Sequence, residues 1–109
     1  MRAVRLLLLL CVGVGLGCGP IEYMSQVTRK AAYAVEAARA VGADKLAPYE
    51  YTSAVEYLHK AREEASYAQF QFAIAFGHKS EDMAEKARLL ALERAREQPA
   101  APPTGSPSP

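Results

Sequence analysis

The stretch YAQFQFAIAFGHKSEDMAEKARLLALERARE, residues 67–97, decides the fold. It contains no proline, and its one glycine falls into a regular series: Phe70, Ala73, Gly77, Ser80, Ala84, Ala87 and Ala91 recur at spacings of three and four. With 3.6 residues per turn such positions share one face, so the series is a stripe along an α-helix. Every member after Phe70 is small, which allows a neighbouring helix to approach closely. Phe72, Phe76, Met83 and Leu90 run beside the stripe, so the apolar surface is wide enough to touch two neighbours or to leave a patch exposed. At about 1.5 Å per residue the helix is roughly 45 Å long.

Just upstream, Ser66-Tyr67-Ala68-Gln69 has the spacing of a capping box, in which the serine oxygen and the glutamine side chain satisfy two backbone donors at a helix start. It predicts a tight helical hairpin in place of one rod from Pro48 to Arg96. The partner helix carries its apolar face on Tyr51, Ala54, Val55, Leu58, Ala61 and Ala65, with Glu56 and Lys60 as an i,i+4 pair on another face. Before it, Gly42 to Pro48 (GADKLAP) reads as a corner: Gly42 ends the preceding helix in a left-handed conformation, Asp44 is an N-cap, and Pro48 fits a first turn. A first helix over residues 21–41 shows a narrow seam of Met24, Val27, Ala31, Ala34, Ala38 and Val41, with Arg39 suited to the macrodipole in its last turn. Strand signals are absent. The expected fold class is all-α: a small three-helix arrangement over residues 18–97, built on an antiparallel helical hairpin and similar in rhythm to a single tetratricopeptide unit.

The two ends are of different kinds. Gln98 to Pro109 (QPAAPPTGSPSP) holds five prolines and no charge, which describes a disordered, extended tail. At the other end, Arg2 and Arg5 precede an apolar run from Leu6 to Leu16, followed by Gly17 and Cys18. This is the order of a secretory signal, and the run is shorter than the about 20 apolar residues that span a bilayer. It resembles a bacterial lipoprotein signal, which is cut before a cysteine that then carries lipid; Gly15 stands where that family usually has an aliphatic residue. Cleavage by ordinary signal peptidase after Gly15-Leu16-Gly17 is the alternative. The resemblance implies residues 1–17 as a leader, palmitate and further acyl chains on Cys18, and outer-membrane sorting, because Gly19 and not Asp follows the cysteine. Loss of Cys11 with the leader leaves one cysteine and no intramolecular disulfide. Loss of Arg2 and Arg5 takes 13 basic residues to 11 against 12 acidic ones, a net charge of minus one that gives nucleic acid nothing to bind.

Sites of chemistry are sparse. Glu56 and His59 form one Glu-x-x-His unit where paired carboxylate metal centres use two. His59 with Glu63 and His78 with Asp82 are single pairs and not a ligand set. There is no phosphate loop or nucleophile elbow. The expectation is a non-enzyme without metal, cofactor or small-molecule substrate. Aromatic side chains gather around the ends of the second helix, and Tyr49, Tyr51, Phe72, Phe76 and Met83 are the candidate interface residues, competing with a role as the main burial of an alanine-rich core.

The run from Ala37 to Ala87 resembles a family of short helical domains of unassigned function in bacterial envelope lipoproteins. The resemblance rests on Ala-Arg-Ala followed by Gly-Ala, the Ala47-Pro48-Tyr49-Glu50 corner, the Ala54 and Leu58 rhythm, and Lys60-Ala61. Some relatives place an OmpA-like domain after it, whereas here a proline tail follows. The expected role is an outer-membrane-tethered, periplasm-facing adaptor that binds an envelope protein. Its alternatives are a self-associating structural spacer and a peptidoglycan-binding module.

Overall fold

A computed structural model describes residues 1–14 and 19–98. Gly15, Gly17 and Cys18, on which the cleavage and lipid expectations fall, and the proline-rich tail from residue 99 lie outside the described residues. The chain forms α1 (Arg2–Val14), α2 (Gly19–Ala40), α3 (Ala43–Leu46), α4 (Pro48–Ser66) and α5 (Phe70–Glu97). It is all-α.

The small-residue stripe of α5 is the centre of the molecule. Ala73, Gly77, Ser80, Ala84, Ala87 and Ala91 are all buried, with α4 packed on one side and α2 on the other. Phe70 at the head of the stripe is half-buried. α4 runs antiparallel to α5, since Ala54 meets Ser80 while Tyr57, further along α4, meets Phe76, further back on α5. α2 runs in the direction of α5: Val27 abuts Gly77, and Ala38 packs with Ala87 and Ala91. The result is an up-down-up bundle of α2, α4 and α5.

The core is made of alanine. One cluster joins Ala31, Val35, Ala54, Leu58 and Ala84, and the other consists wholly of Ala38, Ala43, Ala47, Ala87 and Ala91. Among the described residues the largest fully buried side chain is Ser80, whose Oγ donates to the Ala54 carbonyl at 2.7 Å and ties α5 to α4. Small side chains bury little area each, so stability comes from close backbone approach and many dispersion contacts.

Four local expectations are corrected. In α2 Val35 is buried with Val27, Ala31 and Ala38, while Ala34 is half-buried against the same cluster; the seam is wider than a single line of residues because α2 packs against both α4 and α5. Gly42 does end α2 in the left-handed region, at φ 80°, but its carbonyl is at once taken by the N–H groups of Lys45 and Leu46, so Gly42 itself heads the one-turn α3. Asp44 therefore lies inside a turn and caps nothing; α4 starts at Pro48 behind Ala47, and Arg94 of α5 donates to the Leu46 carbonyl left open by α3. Glu56 does not pair with Lys60, which reaches Glu63 and Glu64 at 3.5 and 3.4 Å instead.

The fourth correction concerns the hairpin turn. Ser66 stays in α4 and donates its hydroxyl to the Glu63 carbonyl, and Gln69 makes no side-chain cap, so no capping box forms and α5 starts at Phe70, not Tyr67. What turns the chain is a helix C-terminal motif. The Gln69 N–H reaches the Glu64 carbonyl at 2.9 Å and the Ala68 N–H reaches Ala65 at 3.0 Å, with Ala68 at φ 58°. This Schellman arrangement usually places glycine at the left-handed position. Replacing Ala68 with glycine is accordingly expected to raise stability by about 0.5–1 kcal/mol, after the entropic cost of glycine offsets part of the relieved strain. A denaturant midpoint shifted upward at unchanged slope checks it.

Candidate functional site

The five proposed interface side chains do not form one patch. Tyr51 is half-buried against both alanine clusters, and Met83 is packed against the first. These two complete the core, since a wall of alanines leaves space that only a longer side chain from its rim can fill. Tyr49 and Phe72 are 73% and 58% exposed. Phe76 is intermediate: it is half-buried and stacks on Tyr57 with ring centroids 6.1 Å apart and planes inclined at 21°.

What the structure joins is a strip along the outer faces of α4 and α5. Tyr49 and Tyr57 lie two turns apart and line one open concavity with Pro48, Thr52, Ser53 and Glu56. Tyr57 continues to Phe76, and Phe76 lies one turn from Phe72 on α5. Lys79 Nζ sits 5.6 Å from the centroids of both Tyr57 and Phe76, placing a cation over the middle of the strip. Sequence reasoning chose Phe72, Phe76 and Tyr49 and grouped Tyr57 with the aromatics around the second helix without choosing it, and it missed Lys79. The i,i+8 spacing of Tyr49 and Tyr57 was the available signal.

Because Phe76 is half-exposed, it does not carry the cost of a fully enclosed ring. Phe76→Ala is expected to lower stability by about 1–2 kcal/mol, below the about 3 kcal/mol of a core phenylalanine, through lost stacking and partial burial. Urea titration gives the value directly, and a loss as large as a core site would place the ring deeper than the stack indicates.

Charge on the surface is organised locally. The charge of Glu63, together with a hydrogen bond to Glu64, holds the Lys60 ammonium above its ordinary value. A hydrogen bond from Arg88 at 2.9 Å holds Glu85 below the usual carboxylate range and raises the Arg88 guanidinium in turn. Each partner is on the same helix and within about one turn. Such exposed pairs contribute little, and what Glu85 adds is present above the carboxylate range and lost as acid protonates it. His59 is exposed on α4, and His78 Nδ1 lies 4.0 Å from Glu81 rather than beside Asp82. Among the described residues no three His, Cys, Asp or Glu side chains gather as a metal-holding group.

The arrangement offers rings on a helical frame, a cation over two of them, and Thr52, Ser53 and Glu56 at the adjoining concavity. A second set of exposed apolar side chains, Ile21, Tyr23 and Tyr67, stands apart from the strip near the start of α2 and the hairpin turn. Set against known proteins, the chain matches no family model, no curated protein and no solved structure.

Proposed function

We propose that the protein is a lipid-tethered lipoprotein of the bacterial envelope, held through Cys18 in the outer membrane and facing the periplasm, whose helical bundle serves as an interaction module for another envelope protein. The observation that carries this reading is the independence of α1. Leu6 to Leu10 are each more than 60% exposed, and α1 makes no contact with any other helix among the described residues. The bundle from Gly19 onward closes its core without the leader, so losing the leader costs the fold nothing. α1 is 13 residues long, about 20 Å, and no described helix is long and apolar enough to cross a membrane. Several acyl chains on one cysteine supply what such a helix cannot, at about 0.8 kcal/mol per buried methylene.

Intact mass of the membrane-extracted protein tests the tether. The expected product begins at Cys18 and carries acyl chains. An unmodified Cys18, or a retained segment from Leu6 to Gly17, overturns it. The adaptor role is tested by in-cell crosslinking from Tyr49 and Phe76: a heterologous adduct is expected, and a solitary monomer at both positions counts against it.

The self-associating spacer is the weaker reading. Its surfaces were to be the alanine and glycine seams, and the α5 seam is filled by α2 and α4 within one chain. Concentration-independent sedimentation of the protein is the expected result. Binding to peptidoglycan through exposed tyrosines such as Tyr33 and Tyr49 is checked by co-sedimentation with isolated cell wall.

A further inference from the structure

The two ends of the bundle differ in charge. Residues 65–77 (ASYAQFQFAIAFG), which close α4, form the turn and open α5, contain no charged side chain, and residues 19–28 contain only Glu22. These two segments lie at one end: Val27 is against Gly77, and Met24, Ser25, Thr28, Arg29 and Ala32 share a shallow groove with Arg62 and Ala65. One turn beyond those contacts stand Ile21, Tyr23, Tyr67 and Phe72, exposed by 55, 52, 69 and 58%. The opposite end holds Arg39, Asp44, Lys45 and Glu50 around the α3 corner, and Arg94 reaching Leu46 from the charged end of α5. Arg62, Glu63 and Glu64 at the close of α4 rim this end, and within that rim the aromatic and aliphatic side chains stand bare, a surface matched to something other than water alone.

The chain itself indicates what covers it. Only four residues separate α1, with its bare leucines, from Gly19. At up to about 3.5 Å per residue the five steps from Val14 to Gly19 hold the start of α2 within roughly 18 Å of whatever apolar medium receives α1, and a lipid-bearing Cys18 is nearer still. Tyrosine is enriched at the headgroup level of membranes, where its ring and hydroxyl meet matching surroundings. We propose that this end of the bundle, formed by the start of α2 and the α4–α5 turn, rests on the lipid surface with Ile21, Tyr23, Tyr67 and Phe72 in the headgroup layer. The inference rests on the tethered reading above and adds an orientation to it. The bundle stands on its α4–α5 turn, and the α3 corner with the α5 C-terminus is presented to the periplasm. Glu22, Arg62, Glu63 and Glu64 flank these side chains, and the apolar contacts between them and the lipid are not weakened by salt.

The chain contains no tryptophan, so single introduced indoles report without background. Full-length protein extracted from membranes is reconstituted into phosphatidylcholine vesicles with or without brominated acyl chains, as Tyr23→Trp, Tyr67→Trp and, at the far end, Tyr49→Trp. The first two are expected to be quenched by brominated lipid several-fold more strongly than the third, with blue-shifted emission that survives high salt. Equal quenching at all three positions in protein that floats with the vesicles overturns the docking and leaves the tether intact. Protein that fails to float overturns the tether and the docking with it. A blue shift at Tyr67→Trp that appears with rising protein concentration in detergent, without vesicles, assigns the surface to a second copy and also overturns the proposal.

Discussion

Replacing Gly77 with leucine is expected to abolish the cooperative unfolding of the bundle. A Cβ built on Gly77 lies 2.6 Å from Cγ1 of Val27, closer than such atoms approach in folded proteins. The obstacle is a methyl of a β-branched side chain within α2, which in a helix has one strongly preferred rotamer and cannot swing aside. Alanine alone should lower stability by about 1–2 kcal/mol, because the overlap outweighs the about 1 kcal/mol by which alanine favours a helix over glycine. Leucine adds three more carbons with nowhere to go except between α2 and α5, and it forces those helices apart along a seam that α2 lines with Val27, Ala31, Val35 and Ala38. Thermal melts followed by circular dichroism separate the cases. Combining Gly77→Ala with Val27→Ala is expected to recover part of the alanine loss, a coupling that unrelated sites would not show. A cooperative melt near the wild-type midpoint for Gly77→Leu would mean that α2 shifts freely on α5, contrary to the tight contact.

The second large effect lies at Leu58. It is 6% exposed and is the one leucine among the buried residues, surrounded by Ala31, Val35, Ala54 and Ala84. Its removal leaves a cavity that the surrounding alanines, having no side-chain torsions, cannot fill, and of the side chains packed at the rim only Met83 has the freedom to reach toward it. Leu58→Ala is expected to cost about 3 kcal/mol, in the middle of the range for such truncations. A helical domain of this size commands only about 3–5 kcal/mol in total, so the variant should be close to half unfolded at room temperature. Leu58→Met, nearly equal in volume, should cost less than about 1.5 kcal/mol. Denaturant titration of both decides whether volume or mere apolarity is what the position requires.

Much of this architecture was legible. The α5 stripe was readable because its period persists over 28 residues without interruption, so errors of phase average out. In the shorter seam of α2 the same reading kept Ala34, which is half-buried, and passed over Val35, about 80° round the helix from Val27, because it sought one narrow line on a helix that packs against both α4 and α5. The corner and the hairpin turn were located but misassigned in detail. Serine at position 66 and glutamine at 69 fit a helix start on paper, while the backbone instead closed a helix end with Ala68, a residue whose sequence carries no sign of a left-handed conformation. Among the site residues, Tyr49 and Tyr51 look alike in sequence. Two positions rotate a side chain by about 200°, so one faces solvent and the other the core. The uncharged stretch at residues 65–77 went unread in the sequence, and its place in the molecule needed the direction of α2, which brings Ile21 and Tyr23 to the same end.

The short links between the helices have a kinetic consequence. α3 is a single turn and the α4–α5 turn takes three residues, so most contacts form between helices adjacent in sequence, and closing them demands little loop entropy. Alanine side chains also lose no rotamer freedom on burial. Such a chain belongs with the helical bundles that fold in microseconds to milliseconds. A polypeptide that crosses a membrane unfolded and must assemble on the far side would reach its native shape before a slower-folding neighbour has completed its first long-range pairing.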